Sequence, residues 1–345
     1  MDAELLGWIL SISSVLIIAT NVLVGAAVLL LIRKKGSQSW VFVLNLALAD
    51  TLVGLAIPGI ATEVIGAHSS STHKTSCLLR MACVTSPSAA SILSMFLISL
   101  DRYLAIKLPL RYSQLTGPRT AAGALVALWL VSFLVGFLPG MVRELQQSDY
   151  KGFCTFFSVI RPQGMIVVFC AGFFPVLSVF IYFYCDILKV ACAHQRQIRR
   201  ARLAGSRLPQ PGHFAGHMKA LQTVALLVGC FTLSWSPFFV ASTVQALCQD
   251  CRLYHVIENY LWLLGLSNSL INPLVYACWQ REVRQQLGVL FATVKGRISP
   301  AAAAIATGRR QAPSTTGTTE LSHTPVPTVH CGAPGEGHAS ARGSV

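Results

Sequence analysis

Charge is scarce in this sequence. Asp, Glu, Lys and Arg make up 12% of the 345 residues, against 53% hydrophobic. A soluble chain carries roughly 25% charged residues, so a water-facing surface of this size cannot be built from so few. Acidic residues are scarcest: 13 Asp and Glu stand against 27 Lys and Arg, a net of +14. No N-x-S/T glycosylation acceptor occurs, and no internal repeat is visible. The low hydrophobicity that keeps a whole chain disordered is missing too. The 11 cysteines are too thinly spread for a disulfide-dense secreted module. The basic excess alone would suit nucleic acid, and its distribution decides.

What is plentiful is long apolar sequence. A helix crosses a bilayer with about 20 mostly apolar residues, and seven stretches qualify: Leu6 to Ile32, Trp40 to Ile65, Cys77 to Ile106, Ala121 to Met141, Met165 to Val190, Ala220 to Leu247 and Tyr254 to Trp279. The first does not read as a cleavable signal, because it is long, opens with Asp2 and Glu4, and is followed by Arg33, Lys34 and Lys35. Basic residues collect behind alternate stretches: Arg33 to Lys35; Lys107, Arg111 and Arg119; Arg196, Arg199, Arg200, Arg202 and Arg207; Arg281, Arg284, Lys295 and Arg297. By the positive-inside bias these segments are cytoplasmic. The N terminus is then extracellular and the C terminus cytoplasmic, in a multi-pass protein of the plasma membrane. The basic excess becomes an orientation signal, and no nucleic-acid partner is expected.

Val283, Leu287 and Leu290 recur at helical spacing beside Arg281 and Arg284, as in an amphipathic helix lying on the inner leaflet. From Ser299 onward the chain is rich in Ala, Gly, Pro, Ser and Thr without apolar period, which reads as disorder. The expected fold class is an all-α membrane protein: a seven-transmembrane-helix bundle with a short amphipathic eighth helix over residues 1–294, and a disordered cytoplasmic tail over 295–345.

Polar groups inside a span are costly and therefore functional candidates. Asp50 lies mid-span, with Asn21, Ser91, Asn268, Ser269 and Asn272 on other stretches able to supply oxygens. Two readings stand side by side: a hydrated sodium site, since hard cations take oxygen ligands, and a neutral hydrogen-bonded cluster that fixes packing. Asp101-Arg102-Tyr103 closes the third stretch at the inner boundary, where the Arg alone could be a snorkelling interfacial residue. Trp235-Ser236-Pro237 and Asn272-Pro273-Leu274-Val275-Tyr276 place prolines inside two more stretches, where each frees a carbonyl and bends the helix. Cys248 and Cys251 lie together on the outer side, as a short disulfide, the favoured reading, or two free thiols. No paired catalytic groups converge, so an enzyme is not expected.

Together, Asn21, Asp50, Asp101-Arg102-Tyr103, Trp129, Pro175, Trp235-Ser236-Pro237 and Asn272-Pro273-x-x-Tyr276, each in its own stretch, resemble the rhodopsin-like (class A) G-protein-coupled receptors over about Gly7 to Leu290. The resemblance implies a disulfide between Cys77 and Cys154, both on the oxidising side. It implies a ligand cavity lined by Arg80, Val84, Thr85, Ser88, Phe156, Phe157, Trp235, Phe238, Glu258 and Trp262. Amine receptors of the family hold the ligand ammonium with an Asp where this chain has Val84, so a biogenic amine is disfavoured. No Lys lies between Tyr254 and Trp279, which excludes retinal attachment. An apolar, aromatic cavity with few polar anchors remains, a lipid-type pocket, in which Arg80 and Glu258 would meet across the mouth and hold a head group.

Further segments, among them Leu79-Arg80-Met81-Ala82, Tyr182-Phe183-Tyr184-Cys185-Asp186, Tyr260-Leu261-Trp262-Leu263-Leu264-Gly265 and Glu282-Val283-Arg284-Gln285-Gln286-Leu287, resemble the receptors of this family that answer to fatty-acid ethanolamides and lysophospholipids. That resemblance implies a lipid-amide ligand such as oleoylethanolamide, the stimulatory heterotrimeric G protein as partner, and raised cyclic AMP. Arrestin and receptor kinases are further partners, through Ser314-Thr315-Thr316 and Thr318-Thr319 in the tail. No cofactor is expected apart from a structural sodium ion. The alternatives are a lysophospholipid or cannabinoid-type receptor with inhibitory coupling, and a seven-span transporter, which would show paired repeats.

Switching would run from ligand bulk above Trp235, through the packing of Phe231 against Ile92 and Pro175, to an outward swing about Pro237 and rearrangement of Tyr276 and Arg102. Relatives often carry an acidic residue where this chain has His217, and the acid pairs with the Arg102 position. His217 cannot make that ion pair, so high ligand-independent signalling is expected. Phe183 stands where relatives have the inner Tyr of the fifth stretch. Pro87 should bend or locally unwind the third.

Overall fold

The structure is a computed structural model. It describes residues 2–66, 73–150, 152, 154–161, 164, 172–183, 185–186, 189, 212–248 and 250–298; the side chains of 3, 63–66, 113, 212–222 and 294–298 are not described. Among the described residues six helices are long and apolar enough to cross a membrane. These are α1 (Ala3–Lys35), α2 (Ser39–Gly66), α3 (Lys74–Lys107), α5 (Pro118–Met141), α8 (Gly212–Leu247) and α9, which runs from Tyr254 to Trp279. Between α3 and α5 lies the short α4 (Pro109–Leu115), and α6 (Phe156–Val159) lies in the next outer connection. The apolar α7 (Phe174–Phe183) falls inside the fifth sequence stretch, the rest of which lies largely outside the described residues. α10 (Arg281–Ile298) follows α9.

Local chemistry marks the helix ends. α1 has Glu4 in its first turn and Arg33, Lys34 and Lys35 in its last, each sign complementing the helix dipole. Gly36 then takes φ 65° and its N–H bonds Ile32 O at 2.8 Å, a left-handed stop that a glycine adopts without steric cost. Pro109 and Pro118 stand at the first positions of α4 and α5, where a missing N–H costs nothing. Thr155 and Ser158 form a reciprocal capping box on α6.

α3 is the hub. It packs against α2, α5 and α8 and touches α4 and α6, while α1 closes on α2 and α9. Its thread of buried residues includes Met81, Val84, Ser91, Ser94, Met95, Ile98 and Asp101. Of the two outcomes expected at Pro87, local unwinding does not occur: α3 is continuous through this buried proline, as neighbouring helices can hold a membrane proline. Close approach is built with small residues. A Cβ on Gly136 of α5 would lie 2.9 Å from the Ser86 backbone nitrogen of α3, and the Ser86 hydroxyl donates to Ser132 O at 3.0 Å across the same contact. Large apolar side chains such as Leu130, Phe133 and Leu134 of α5 point outward and are exposed, the inverse of a soluble surface and the arrangement a lipid solvent requires.

The connections hold more structure than their composition announced. Besides α4 and α6, the outer connection after α5 carries a 3₁₀ turn at Arg143–Leu145 and an isolated antiparallel bridge between Gln146 and Ile160. α10 runs beyond the periodic segment, to Ile298, and buries Val283 and Leu287.

Candidate ligand cavity and switch

At the outer end, one face of α3 carries Arg80, Val84, Thr85 and Ser88 on successive turns. Val84 is buried, and the other three are half-buried. Facing them, Trp235, Phe238 and Phe239 of α8 form one aromatic cluster: Trp235 and Phe238 meet edge to face at 5.9 Å, and Phe239 stacks on Phe173 at 3.9 Å. Trp235 lies flat against Gly265 of α9, where a Cβ would come within 2.7 Å of the indole. Trp262 is half-buried one turn outward. From above, the outer connection lowers Phe156 and Phe157, which meet edge to face at 6.2 Å, and Phe157 meets Tyr254 at 5.1 Å.

Polar groups in this region are few. The Glu258 carboxylate interacts with the Thr155 hydroxyl, while the Arg80 charge acts on Tyr150. Burial pushes the Tyr150 phenol upward, and nearby Arg80 opposes that. Its hydroxyl has no hydrogen-bond partner among the described residues. Two disulfides tie the outer face, Cys77 to Cys154 and Cys248 to Cys251. Beside the second, buried Gln245 donates to Cys251 O at 2.8 Å and accepts from Leu253 N at 2.6 Å, fixing the turn into α9.

Midway, Asp50 is fully buried. Its Oδ1 accepts from Ser91 at 2.7 Å and Ser269 at 2.8 Å, and its Oδ2 accepts from Asn272 at 2.8 Å. One carboxylate therefore joins α2, α3 and α9. Asn21 extends the join to α1 by donating to Ser269 O at 2.9 Å. The side-chain carbonyls of Asn268 and Asn272 and the Tyr276 hydroxyl are buried without partners among the described residues. Nearer lipid, Trp129 donates to Asn45 Oδ1 at 3.0 Å and Asn45 donates to Ser94 at 2.8 Å.

Below lies an aromatic column. Phe231 is fully buried and meets Phe173 and Phe180, each at 5.7 Å. Ile92 packs on the same core, while Pro175 is exposed. The Phe231 ring is thus engaged by residues flanking Pro175.

At the inner end, Asp101 pairs with Arg102 at 3.2 Å and accepts a hydrogen bond from Tyr112 of α4 at 2.7 Å. Burial raises the Tyr112 phenol above its ordinary range; the Ser39 hydroxyl, 3.3 Å away, lowers it, and Asp101 raises it. Tyr103 donates to Asp186 at 3.0 Å, Lys107 pairs with the same carboxylate at 2.7 Å, and the Tyr103 ring stacks on Phe183 at 4.5 Å. His217 is in α8, but its side chain lies outside the described residues, as do the tail hydroxyls 314–319.

The sequence profile described as "7 transmembrane receptor (rhodopsin family)" matches residues 20–276. The chain belongs to that family. As a rhodopsin-family receptor it sits in the membrane with several spans, works through G proteins and is not an enzyme. It is 52% identical to the glucose-dependent insulinotropic receptor of Homo sapiens over 81% of this chain and 84% of that one. The identity to the Rattus norvegicus receptor of the same name is also 52%, over 81% of this chain but only 60% of that protein's length. It is 32% identical to the human adenosine receptor A2a over 79% of this chain.

Sequence reasoning about this receptor missed Tyr112, Tyr150, Asp186 and Gln245. Asp186 was findable, being one of only 13 acidic residues; the others carry no signal until α4 and the outer connection are folded over α3.

Proposed function

We propose that this receptor recognises single-chain lipids, either fatty-acid ethanolamides or lysophospholipids, and activates the stimulatory G protein to raise cyclic AMP. What supports the reading is the outer end of the bundle: Val84 stands where an ammonium-binding acid would be, and the other candidate lining residues are mostly aromatic side chains of α6, α8 and α9, with few polar groups among them. The similarity to the glucose-dependent insulinotropic receptors supports it. The N terminus is extracellular and the C terminus cytoplasmic, in the plasma membrane; the basic inner connections support that orientation.

The mechanism is a shift between two packings. A lipid chain lying on Phe238 and Trp262 presses Trp235, which has no free space toward Gly265. The displacement passes through Phe231 to the aromatic column of α7, and α8 swings about Pro237. Release of Arg102 from Asp101 then opens a cleft for a G-protein helix, a helix-in-groove contact. The Asp50 cluster supplies the carboxylate, hydroxyls and unpartnered Asn carbonyls that a hard cation takes, so Asp50, Ser91, Asn268 and Asn272 would hold a sodium ion. Its charge would tie α2, α3 and α9 together.

The test is a cyclic AMP dose-response to oleoylethanolamide and lysophosphatidylcholine. Arg80→Ala and Trp262→Ala should each weaken potency by about tenfold or more, the equivalent of roughly 1.4 kcal/mol. A flat wild-type response to every lipid would overturn the ligand assignment, and a fall in cyclic AMP would favour inhibitory coupling. High basal output follows from His217, and His217→Asp should lower basal cyclic AMP at equal surface expression.

A further inference from the structure

A narrow cleft opens between α3, α5 and the outer connection. On α3 it is lined by Leu78, Met81 and Thr85, on one helix face; on α5 by Gly136 and Pro139; above by Leu145. Among the described residues Thr85 supplies the only polar side chain of its wall, and Gly164 forms part of its rim. At Gly164 a Cβ would lie 3.1 Å from Leu145, so any side chain there would crowd the space that the glycine leaves open. Protein interiors are packed to crystal density, and an apolar void offers water too few partners to hold it. An open apolar cleft of this shape therefore suits an alkyl chain better than solvent.

The cleft adjoins the candidate ligand residues. Thr85 and Phe156 belong to both walls, and Phe156 leads on to Phe157 and Tyr254. From Thr85, the cleft reaches Val135, Gly136 and Pro139 of α5, and its described wall includes none of the Trp235 cluster. We propose that it is a side arm of the ligand site which receives the end of the ligand's alkyl chain, so that it sets chain-length preference while the rings around Trp235 set efficacy. The inference rests on the lipid-ligand reading. The occupant is the ligand's own chain, because the cleft is apolar and shares Thr85 and Phe156 with the candidate ligand residues.

Full-length receptor in cell membranes tests this with a homologous series of saturated N-acyl ethanolamides. Burial of one methylene is worth roughly a fourfold gain in affinity. Wild-type potency should climb by about that factor per methylene until the arm is filled. Met81→Phe and Leu145→Phe, which fill the arm, should flatten the climb for the longest chains and leave the shortest members at wild-type potency, with surface expression checked by antibody. Equal loss at every chain length, or no change at any, overturns the arm. An ethanolamide with a diazirine at its chain terminus gives a second readout that needs no signalling. Labelling of residues 78–85 and 135–139, competed by unlabelled ethanolamide, supports the proposal. Labelling confined to α8 and α9 overturns the arm but leaves the lipid reading standing. Labelling of the cleft that only a two-chain phospholipid probe achieves makes it a membrane-lipid site. No competed labelling anywhere, with no cyclic AMP response, defeats the lipid reading and the arm with it.

Discussion

A Cβ at position 265 would stand 2.7 Å from the Trp235 indole, closer than real Cβ contacts come. Gly265→Ala therefore has to move the ring or part α8 from α9. The ring is a candidate ligand contact, so basal cyclic AMP should change while the response to added lipid falls, at unchanged expression. Asp50 gives a second case at this scale. Three buried donors converge on its carboxylate, and stranding a buried donor costs about 1–3 kcal/mol. Asp50→Ala should lower the thermal midpoint in detergent well beyond what Asp50→Asn does, since the amide still offers one acceptor. The carboxylate was legible in the sequence as a charge out of place. Its partners were legible only as a pool of oxygens, because which of them touch depends on how α3 and α9 rotate against α2.

At the scale of elements, the spans could be read directly, since apolar length is a property of the chain alone. The connections could not. α4 exists because Pro109 starts it and because Tyr112 reaches Asp101, a tertiary contact no periodicity reveals. At Pro87 local propensity argues for a bend or an unwound turn, and with packing against α5 through Gly136 and Ser86 no turn unwinds. Just beyond α7, Asp186 joins α3 by a bond that no local pattern shows, with Tyr103 and Lys107. Asp186→Ala removes both partners' acceptor, and Asp186→Asn removes only the ion pair. The Ala variant should raise basal cyclic AMP more than the Asn variant, because it removes the acceptor of Tyr103 as well as the ion pair and leaves ring contacts such as Tyr103–Phe183 and Phe96–Phe183. Both carboxylate partners are partly exposed, so neither change should alter stability by more than about 1 kcal/mol.

For the whole molecule, the two disulfides differ in what they constrain. Cys77 and Cys154 are 77 residues apart, Cys248 and Cys251 only 3. Closing the longer loop removes about 4–5 kcal/mol of unfolded-chain entropy, and the shorter removes far less. Cys77→Ala should therefore abolish most surface expression, whereas Cys251→Ser should leave it largely intact.

The first helix has its own delay. Asn21 bonds Ser269 across 248 residues, and Lys35 pairs with Glu282 across 247. During synthesis α1 leaves the ribosome first, yet two of its anchors are made almost last. Until α9 and α10 arrive its main described packing is against α2, with its α9-facing side against lipid. Ring closure is thus the final step of assembly, and a chain cut short before α9 leaves Asn21 without its distant carbonyl inside the bilayer, a defect that membrane quality control can read.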